Sequence, residues 1–259
     1  MNEAMLAGTV AALYRYPVKG LSPEPLGDVA LKPGAGVLGD RALGFLRHET
    51  EYDADHPRPM EKTCFHMLAR DAALARLATR YDVETDTLAI GEDRHALGTE
   101  AGRTAAETAI GAALGLGPER RPRLVRGGTA HRFTDVSVVS DTFMNAVSLI
   151  NLASVADLGD RIGKAVDPLR FRANIYFDGW PAWRELDLVG ETIAVGPVRL
   201  RVLLRTKRCA ATTVNPATGE RDIFVPRHLT EAFGHADLGI YGEVLQAGTI
   251  APGDAVSLV

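Results

Sequence analysis

The most informative stretch of the sequence is RTKRCAATTVNPATGERD, Arg205–Asp222. It follows VRLRVLLR, residues 198–205, in which apolar and basic residues alternate. Alternation with a period of two predicts a half-buried strand with its apolar face on a core. The segment NPATG, residues 215–219, is typical of a turn. A single thiol, Cys209, therefore lies between a strand end and a turn.

The residues before Cys209 allow two interpretations of its thiol. Lys207 and Arg208 would stabilise a thiolate, which is the form that ligates metals and attacks electrophiles. Free cysteines are also commonly buried as small apolar residues, and composition alone favours that structural role. Both interpretations stay open at this point.

Composition and charge exclude several classes of protein. The chain has 259 residues, 46% hydrophobic and 24% charged, with a net charge of −4, so no overall field favours nucleic acid or an anionic membrane. The basic segment 119–126 lacks interleaved aromatics and is interpreted as a solvated linker. No apolar run approaches the ~18 residues of a membrane span, and the first ten residues lack a signal-peptide pattern. With only Cys64 and Cys209, a reducing compartment is expected. We predict a cytoplasmic protein without nucleic-acid or membrane partners.

Short strand-like segments dominate the pattern. We expect strands within residues 9–17, 28–32, 37–46, 86–91, 94–98, 146–151, 169–179, 198–205, 240–248 and 255–259. Helices are expected at 68–82, at 104–115 with a capping box of Thr104 and Glu107, at 152–162 and at 226–234. Residues 49–63 are polar and acidic and predict an exposed loop. This pattern indicates a mainly β fold with peripheral helices (α+β), rich in barrel structure, with a boundary between residues 115 and 116.

Several basic residues also lie near predicted strand ends. RFRAN, residues 170–174, is expected to place Arg170 and Arg172 on one face of a strand. Two adjacent guanidinium groups repel each other, so they indicate either an anion between them or two solvated side chains. Lys19 in YPVKG and Arg41 in GDR lie near other strand ends.

The segment from Arg208 to Asp222 resembles the signature of the MOSC family, the molybdenum cofactor sulfurase C-terminal domain, whose usual form is R-C-x-x-T-x-V-[DN]-P-x-T-G-x-x-D. Further blocks at 133–141, 147–158, 170–179 and 241–256 resemble the same domain, and those at 16–20, 39–46 and 68–82 resemble its N-terminal companion. The resemblance implies a smaller N-terminal β-barrel-like domain over 1–115 and a β-barrel MOSC domain over 116–259. This arrangement is similar to that of amidoxime-reducing proteins.

The resemblance implies a molybdenum–molybdopterin cofactor in the cleft between the two domains. The Cys209 thiolate would ligate the metal, and cations or N–H donors would hold the pterin phosphate. By match to the family's blocks, the residues that would bind the cofactor are Lys19, Arg41, Arg70, Thr134, Ser137, Arg170, Arg172, Asn174, Lys207, Arg208 and Thr212. Asp135 is the candidate for a catalytic proton donor.

The function implied is reduction of small N-hydroxylated or related N–O substrates, with loss of the oxygen as water. The chain has no cysteine cluster, so electrons would come from a separate flavoprotein, ferredoxin or cytochrome. Two alternatives remain: a metal-free persulfide carrier or C–S bond-cleaving, sulfur-transfer protein that uses Cys209, and a non-enzymatic binding module in which Cys209 is buried. The chain departs from the family pattern at Gly20, Ala69, Ala173 and the loop 49–63, which leaves substrate specificity open.

Overall fold

The computed structural model describes residues 7–56, 58–127 and 131–259. The strands of the first half are β1 (Ala7–Arg15), β2 (Glu24–Leu26), β3 (Val29–Leu31), β4 (Leu43–Leu46), β5 (Thr79–Asp82), β6 (Thr87–Ile90), β7 (Asp93–Ala96) and β8 (Arg123–Arg126). Those of the second half are β9 (Val147–Asn151), β10 (Ile175–Asp178), β11 (Thr192–Val195), β12 (Val198–Lys207), β13 (Asp237–Gln246), β14 (Gly248–Ile250) and β15 (Ala255–Leu258). The helices are α1 (Glu100–Ala113), α2 (Asp141–Met144), α3 (Leu152–Ile162) and α4 (Val225–Phe233).

Seven strands close into a barrel in the order β10-β9-β13-β12-β11-β15-β1, and β1 pairs back onto β10. Side chains that point inward from these strands form the largest core, for example Val10, Val147, Leu200 and Ile240. The alternation predicted for β12 is confirmed, because Val198, Leu200 and Val202 are buried while Arg201 and Arg205 are exposed. The fold is mainly β with peripheral helices, as the sequence predicts.

The barrel takes one strand from the first half of the chain. β1 pairs antiparallel with both β10 and β15. Of the other strands of that half, β2 pairs with β1 and β3 pairs with β14. β4 pairs with β8, β5, β6 and β7 form a three-stranded sheet, and α1 packs on β7 and β8. The boundary between residues 115 and 116 stays a prediction, and the pairing of β1 shows that a strand from before it completes the barrel.

Neighbouring strands β9 and β10 are parallel, so the chain between them must cross over the barrel wall. The crossover contains α3, whose first turn is capped by Asn151 and whose end is closed by Gly163 in the left-handed conformation. The crossover then leads into the segment 168–174, which borders the cavity described below.

Two predicted helices differ from the structure. Residues 68–82 form a 3-10 turn, Ala72–Arg76, followed by β5, because Tyr81 is buried in a sheet where tertiary packing outweighs alanine's helix propensity. The helix expected from Thr104 begins instead at Glu100, with Thr99 as its cap. Glu107 does not close a capping box, since its carboxylate accepts a hydrogen bond of 2.9 Å from the backbone N–H of Leu124.

The strand expected at 169–179 begins only at Ile175. Arg170 lies in a 3-10 turn, Pro168–Phe171, and Arg172 adopts the left-handed conformation with φ 53°. The two arginines therefore do not share one face of a strand. The loop 49–63 is largely exposed, as expected, and ends in a 3-10 turn, Lys62–Cys64. Over the described residues, no helix has both the length and the apolar character needed to cross a bilayer.

A buried carboxyl group beside α3 should make stability depend on pH. Glu185 is fully buried and accepts hydrogen bonds from Ser154 and Asn151. Burial raises the pKa of Glu185 above its ordinary value, so the fold favours the neutral acid and loses this contribution as pH rises through the raised pKa. We expect the free energy of unfolding of Glu185→Gln to rise relative to that of wild type as pH rises from about 4.5 towards neutrality. Urea unfolding at several pH values measures this difference.

The exposed Glu119 supplies the matched control for this prediction, because the same change of charge there leaves the buried carboxyl in place. The difference in free energy of unfolding between Glu119→Gln and wild type should stay nearly constant over the same pH range. If the free energy of unfolding of Glu185→Gln relative to wild type is equally independent of pH, the raised pKa of Glu185 is contradicted.

Candidate functional site

A cavity of about 320 Å³ opens between the barrel and the segments that follow β1 and β4. Its walls come from the end of β12, the turn after Cys209, the segment 170–174, the chain around Lys19 and Arg41, and residues 134–136. Ligand cavities in proteins are commonly of this size or somewhat larger. Segments distant in sequence thus meet at one concave site.

Most residues singled out from the sequence line this cavity. They are Cys209, Asp135, Lys19, Arg41, Thr134, Arg170, Arg172, Asn174, Lys207, Arg208 and Thr212. Two candidates do not line it: Arg70 is exposed, and Ser137 is buried with its Oγ donating 2.9 Å to the carbonyl of Thr134. Both residues belong to turns and are absent from the cavity lining. Ser137 can support Thr134 from behind.

Cys209 is half-buried at the point where β12 gives way to a 3-10 turn, Ala210–Thr213. Its thiol makes no capping hydrogen bond to that turn. The carbonyl of Cys209 accepts hydrogen bonds from the hydroxyl of Thr212 at 2.9 Å and from its backbone N–H at 3.1 Å. The backbone is therefore held while the thiol is left available to the cavity.

The turn after Cys209 is fixed by an ion pair that sequence reasoning missed. Arg170, whose side chain is 2% exposed, donates from Nη2 to both carboxylate oxygens of Asp222 at 2.7 and 2.8 Å and from Nη1 to the carbonyl of Thr213. Asn215 donates to the same carboxylate at 2.8 Å, and Gly219 has the positive φ, 73°, that the turn requires. The anion that Arg170 binds is thus the last acid of the motif.

Arg172 has a different environment. Its guanidinium lies 4.3 Å from the centre of the Tyr16 ring and donates to the carbonyl of Leu21 at 2.6 Å. Arg41 lies 4.7 Å from the same ring and donates to the carbonyl of Arg172 at 2.7 Å. Burial, with a contribution from the charge of Arg41, lowers the pKa of Arg172 to about 10. Within the described ranges, no carboxylate forms an ion pair with Arg172.

Arg208 is likewise buried without a carboxylate partner in the described part of the chain. Its guanidinium donates to the carbonyls of Leu238 and Phe171, from Nε at 2.7 Å and from Nη1 at 3.0 Å. Burial lowers its pKa. Backbone carbonyls therefore orient the guanidinium groups of Arg172 and Arg208, but these carbonyls are neutral and leave the positive charges uncompensated.

Lys19 and Asp135 form a short ion pair in the cavity lining. Lys19 Nζ donates to Asp135 Oδ1 at 2.5 Å and to the carbonyl of Phe133 at 2.9 Å. Burial lowers the pKa of Lys19, although Asp135 opposes that shift. Burial would raise the pKa of Asp135, but the charge of Lys19 and its hydrogen bond bring it below its ordinary value. Asp135 is therefore ionised at neutral pH and accepts the hydrogen bond from Lys19.

The cavity as a whole is strongly cationic. Its lining contains eight basic side chains and only two carboxylates, those of Asp40 and Asp135. Three buried polar atoms on the lining have no hydrogen-bond partner among the described residues: Thr134 Oγ1, Arg170 Nε and Thr206 Oγ1. Such atoms are rare in folded proteins unless a ligand or water satisfies them. The arrangement suits an anionic ligand with several hydrogen-bonding groups.

Sequence reasoning missed several members of the lining. Tyr241 pairs in register with Leu204 across β12 and β13, so its presence follows from the sheet pairing. Burial raises the pKa of Tyr241, so its phenol is neutral at physiological pH. Thr206 could have been found from the alternation of β12. Lys62 enters from the loop 49–63 and had no recognisable signal in the sequence.

Comparison with known proteins gives the family. Residues 125–257 match the model of the MOSC domain. The chain is 26% identical over 286 residues to the human mitochondrial amidoxime-reducing component 1, covering 97% of this chain and 83% of that protein. It is 33% identical over 122 residues to the mitochondrial amidoxime reducing component 2 of Bos taurus, covering 42% of this chain and 36% of that one. Among solved structures, the YuaD protein from Bacillus subtilis aligns over 98% of this chain and 96% of its own at 12% identity, with a TM-score of 0.46.

The matched region spans just over half of the chain and contains Cys209, the turn that follows it and five of the seven barrel strands in full. The protein belongs to the MOSC domain family.

Proposed function

We propose that this protein is a molybdenum-cofactor-dependent oxidoreductase that reduces N-hydroxylated or related N–O compounds. The observation that carries the proposal is the available thiol of Cys209 in a cavity lined by eight basic side chains and two carboxylates. The names of the human and bovine relatives, amidoxime-reducing components, support the choice of N–O substrates.

The donor groups of the cavity fit molybdopterin. A thiolate is a soft ligand that suits the metal. Arg172, which is half-buried, and Arg208, which is buried, supply positive charge without a carboxylate partner among the described residues, which suits a phosphate. The partnerless hydroxyls of Thr134 and Thr206 can serve further polar groups of a pterin. The thiol, the guanidinium groups and the hydroxyls all belong to residues that line the cavity.

In this proposal Cys209 ligates the metal, and Arg41, Arg172 and Arg208 hold the anionic parts of the cofactor. Arg170 acts mainly through Asp222, by fixing the turn that positions Cys209. When bound, the cofactor supplies the two-electron chemistry, while the protein supplies orientation and electrostatics.

Reduction of R–NH–OH to R–NH₂ and water consumes two electrons and two protons. Lys19 is the better proton donor of the short pair, because it holds the proton while Asp135 is ionised. Asp135 is 44% exposed and lies 3.9 Å from Lys62, so it can return protons from solvent to Lys19. A separate flavoprotein, ferredoxin or cytochrome would deliver the electrons. This arrangement assigns Asp135 to proton relay and Lys19 to donation.

The proposal is tested with protein expressed in a host that makes the cofactor. We expect molybdenum near one atom per chain by elemental analysis, and reduction of benzamidoxime to benzamidine by a chemical electron donor. Protein with neither metal nor activity, but with cyanide-releasable sulfur, would replace the proposal with persulfide or sulfur-transfer chemistry at Cys209. A thiol that resists alkylation in the native state would favour the binding module.

Arg172 should matter more for the cofactor than for folding. Arg172→Ala removes a half-buried cation and one hydrogen bond to Leu21, but it also relieves repulsion from Arg41. We expect molybdopterin content to fall severalfold or more, while the thermal midpoint of the cofactor-free protein changes by only a few degrees. Content is measured by fluorescence of the oxidised pterin.

Arg227→Ala is the control for this change, because Arg227 is 75% exposed on α4 and lies outside the cavity lining. It should retain full cofactor. If Arg172→Ala also purifies with full cofactor, Arg172 does not hold the cofactor's phosphate.

A further inference from the structure

Three basic side chains stand at the outer edge of the cavity. Lys62 and Arg205 have side chains that are 37% and 40% exposed, and Lys207 is exposed at the end of β12. We call these three residues the rim cations. They differ from Lys19 and Arg208, which line the same cavity but are buried.

The charge of the rim cations is poorly compensated within the described residues. Lys207 has no carboxylate within 4.0 Å there. Lys62 lies 3.9 Å from Asp135, which is already bound to Lys19 at 2.5 Å. Arg205 lies 3.6 Å from the exposed Asp187 and donates its Nε–H to a backbone carbonyl. Three basic side chains at this edge of the cavity thus meet two carboxylates, Asp135 and Asp187, and a net positive charge remains among the described residues.

The cofactor roles proposed above fall to Arg41, Arg172 and Arg208. Lys62 and Arg205 have no such role, and Lys207, which the family resemblance also offers as a cofactor contact, is exposed like them. Arg208 is buried and Arg172 is half-buried, whereas Lys62 is 37% exposed and Lys207 is exposed. A cleft lined by one sign of charge concentrates ligands of the opposite sign and accelerates their association. Lys207 and Cys209 line the same cavity two residues apart, so we expect the ammonium group to lie near a substrate that reaches the thiol.

We propose that the substrates of this site are N-hydroxylated compounds that also carry a carboxylate, which the rim cations bind at the entrance. This inference deepens the proposed function and rests on it. Lys207 and Lys62 would form charge-assisted hydrogen bonds with the carboxylate, and the N–OH group would point inward to Cys209. In this arrangement the rim cations determine specificity and take no part in the bond cleavage.

The test compares 4-carboxybenzamidoxime with 4-carbamoylbenzamidoxime, which has nearly the same size but no charge. Both are reduced by cofactor-loaded protein with a chemical electron donor. We expect kcat/KM to be about tenfold higher for the carboxylate, as one charge-assisted hydrogen bond allows, and the ratio to shrink at high salt because exposed charges are screened.

Variants assign the preference to particular residues. Lys207→Gln and Lys62→Gln should each lower the carboxylate-to-amide ratio by about threefold or more. The exposed lysine Lys164, outside the cavity lining, provides the control Lys164→Gln, which should keep the wild-type ratio. Each ratio is taken on one preparation, so differences in cofactor content cancel.

Equal kcat/KM for the two compounds would overturn the inference and leave the proposed function standing. Reduction of neither compound would instead count against the proposed function. Calorimetric binding of the corresponding amidines, 4-carboxybenzamidine and 4-carbamoylbenzamidine, then decides the inference separately. A preference for the carboxylate that Lys207→Gln weakens supports the anion-binding entrance, and equal affinities contradict it.

Discussion

Cys209→Ser should abolish reduction of N-hydroxylated compounds while the protein stays folded. Serine replaces a soft, easily ionised ligand by a hydroxyl of much higher pKa, so the metal would lose its protein sulfur. The thiol makes no capping hydrogen bond, and the oxygen is smaller than the sulfur, so the turn at Ala210–Thr213 should survive. We expect activity with a chemical electron donor to fall on the order of a thousandfold or more, as for loss of a central catalytic group.

The other cysteine provides the control. Cys64 packs partly buried against Phe65 and Leu46 in a small apolar cluster and is outside the cavity lining. Cys64→Ser should therefore lose some stability, about 1 kcal/mol, but keep its cofactor and activity. Some pterin should remain in Cys209→Ser, because Arg172 and Arg208 are intact. Wild-type reductase activity in Cys209→Ser would refute the metal-ligand assignment.

Asp222→Asn should destabilise the protein more than an ordinary surface change. Arg170 is 2% exposed, and the substitution leaves its charge without the carboxylate that binds it at 2.7 Å. Asp222 itself is about one-third exposed, so leaving the buried guanidinium without its carboxylate should cost about 1–3 kcal/mol, which chemical denaturation would measure. Because Arg170 and Asp222 also fix the turn after Cys209, molybdenum content should fall in the same variant.

A surface ion pair gives the scale for comparison. Arg227 and Glu231 lie on α4 with side chains 75% and 54% exposed. Glu231→Gln should therefore cost less than about 1 kcal/mol and leave the metal content unchanged. An Asp222→Asn protein as stable as Glu231→Gln would show that the buried pair does not hold the turn.

Local sequence patterns were enough to predict the barrel strand β12, the turn at residues 215–219 and the position of Cys209 between them. These features depend on local patterns: a period of two in the side chains, and turn residues whose backbone preferences are intrinsic. The long motif from Arg208 to Asp222 also led to the family and to most of the cavity lining.

Only the tertiary structure decided which charges neutralise each other. Arg170 was expected beside Arg172 on a strand. It lies instead in the 3-10 turn Pro168–Phe171, where it pairs with Asp222, 52 residues away. Residues 68–82 were likewise expected to form a helix, but their last part forms β5, in which Tyr81 is buried in a sheet. Ion pairing and burial depend on segments brought together from far along the chain, and no local pattern specifies those partners.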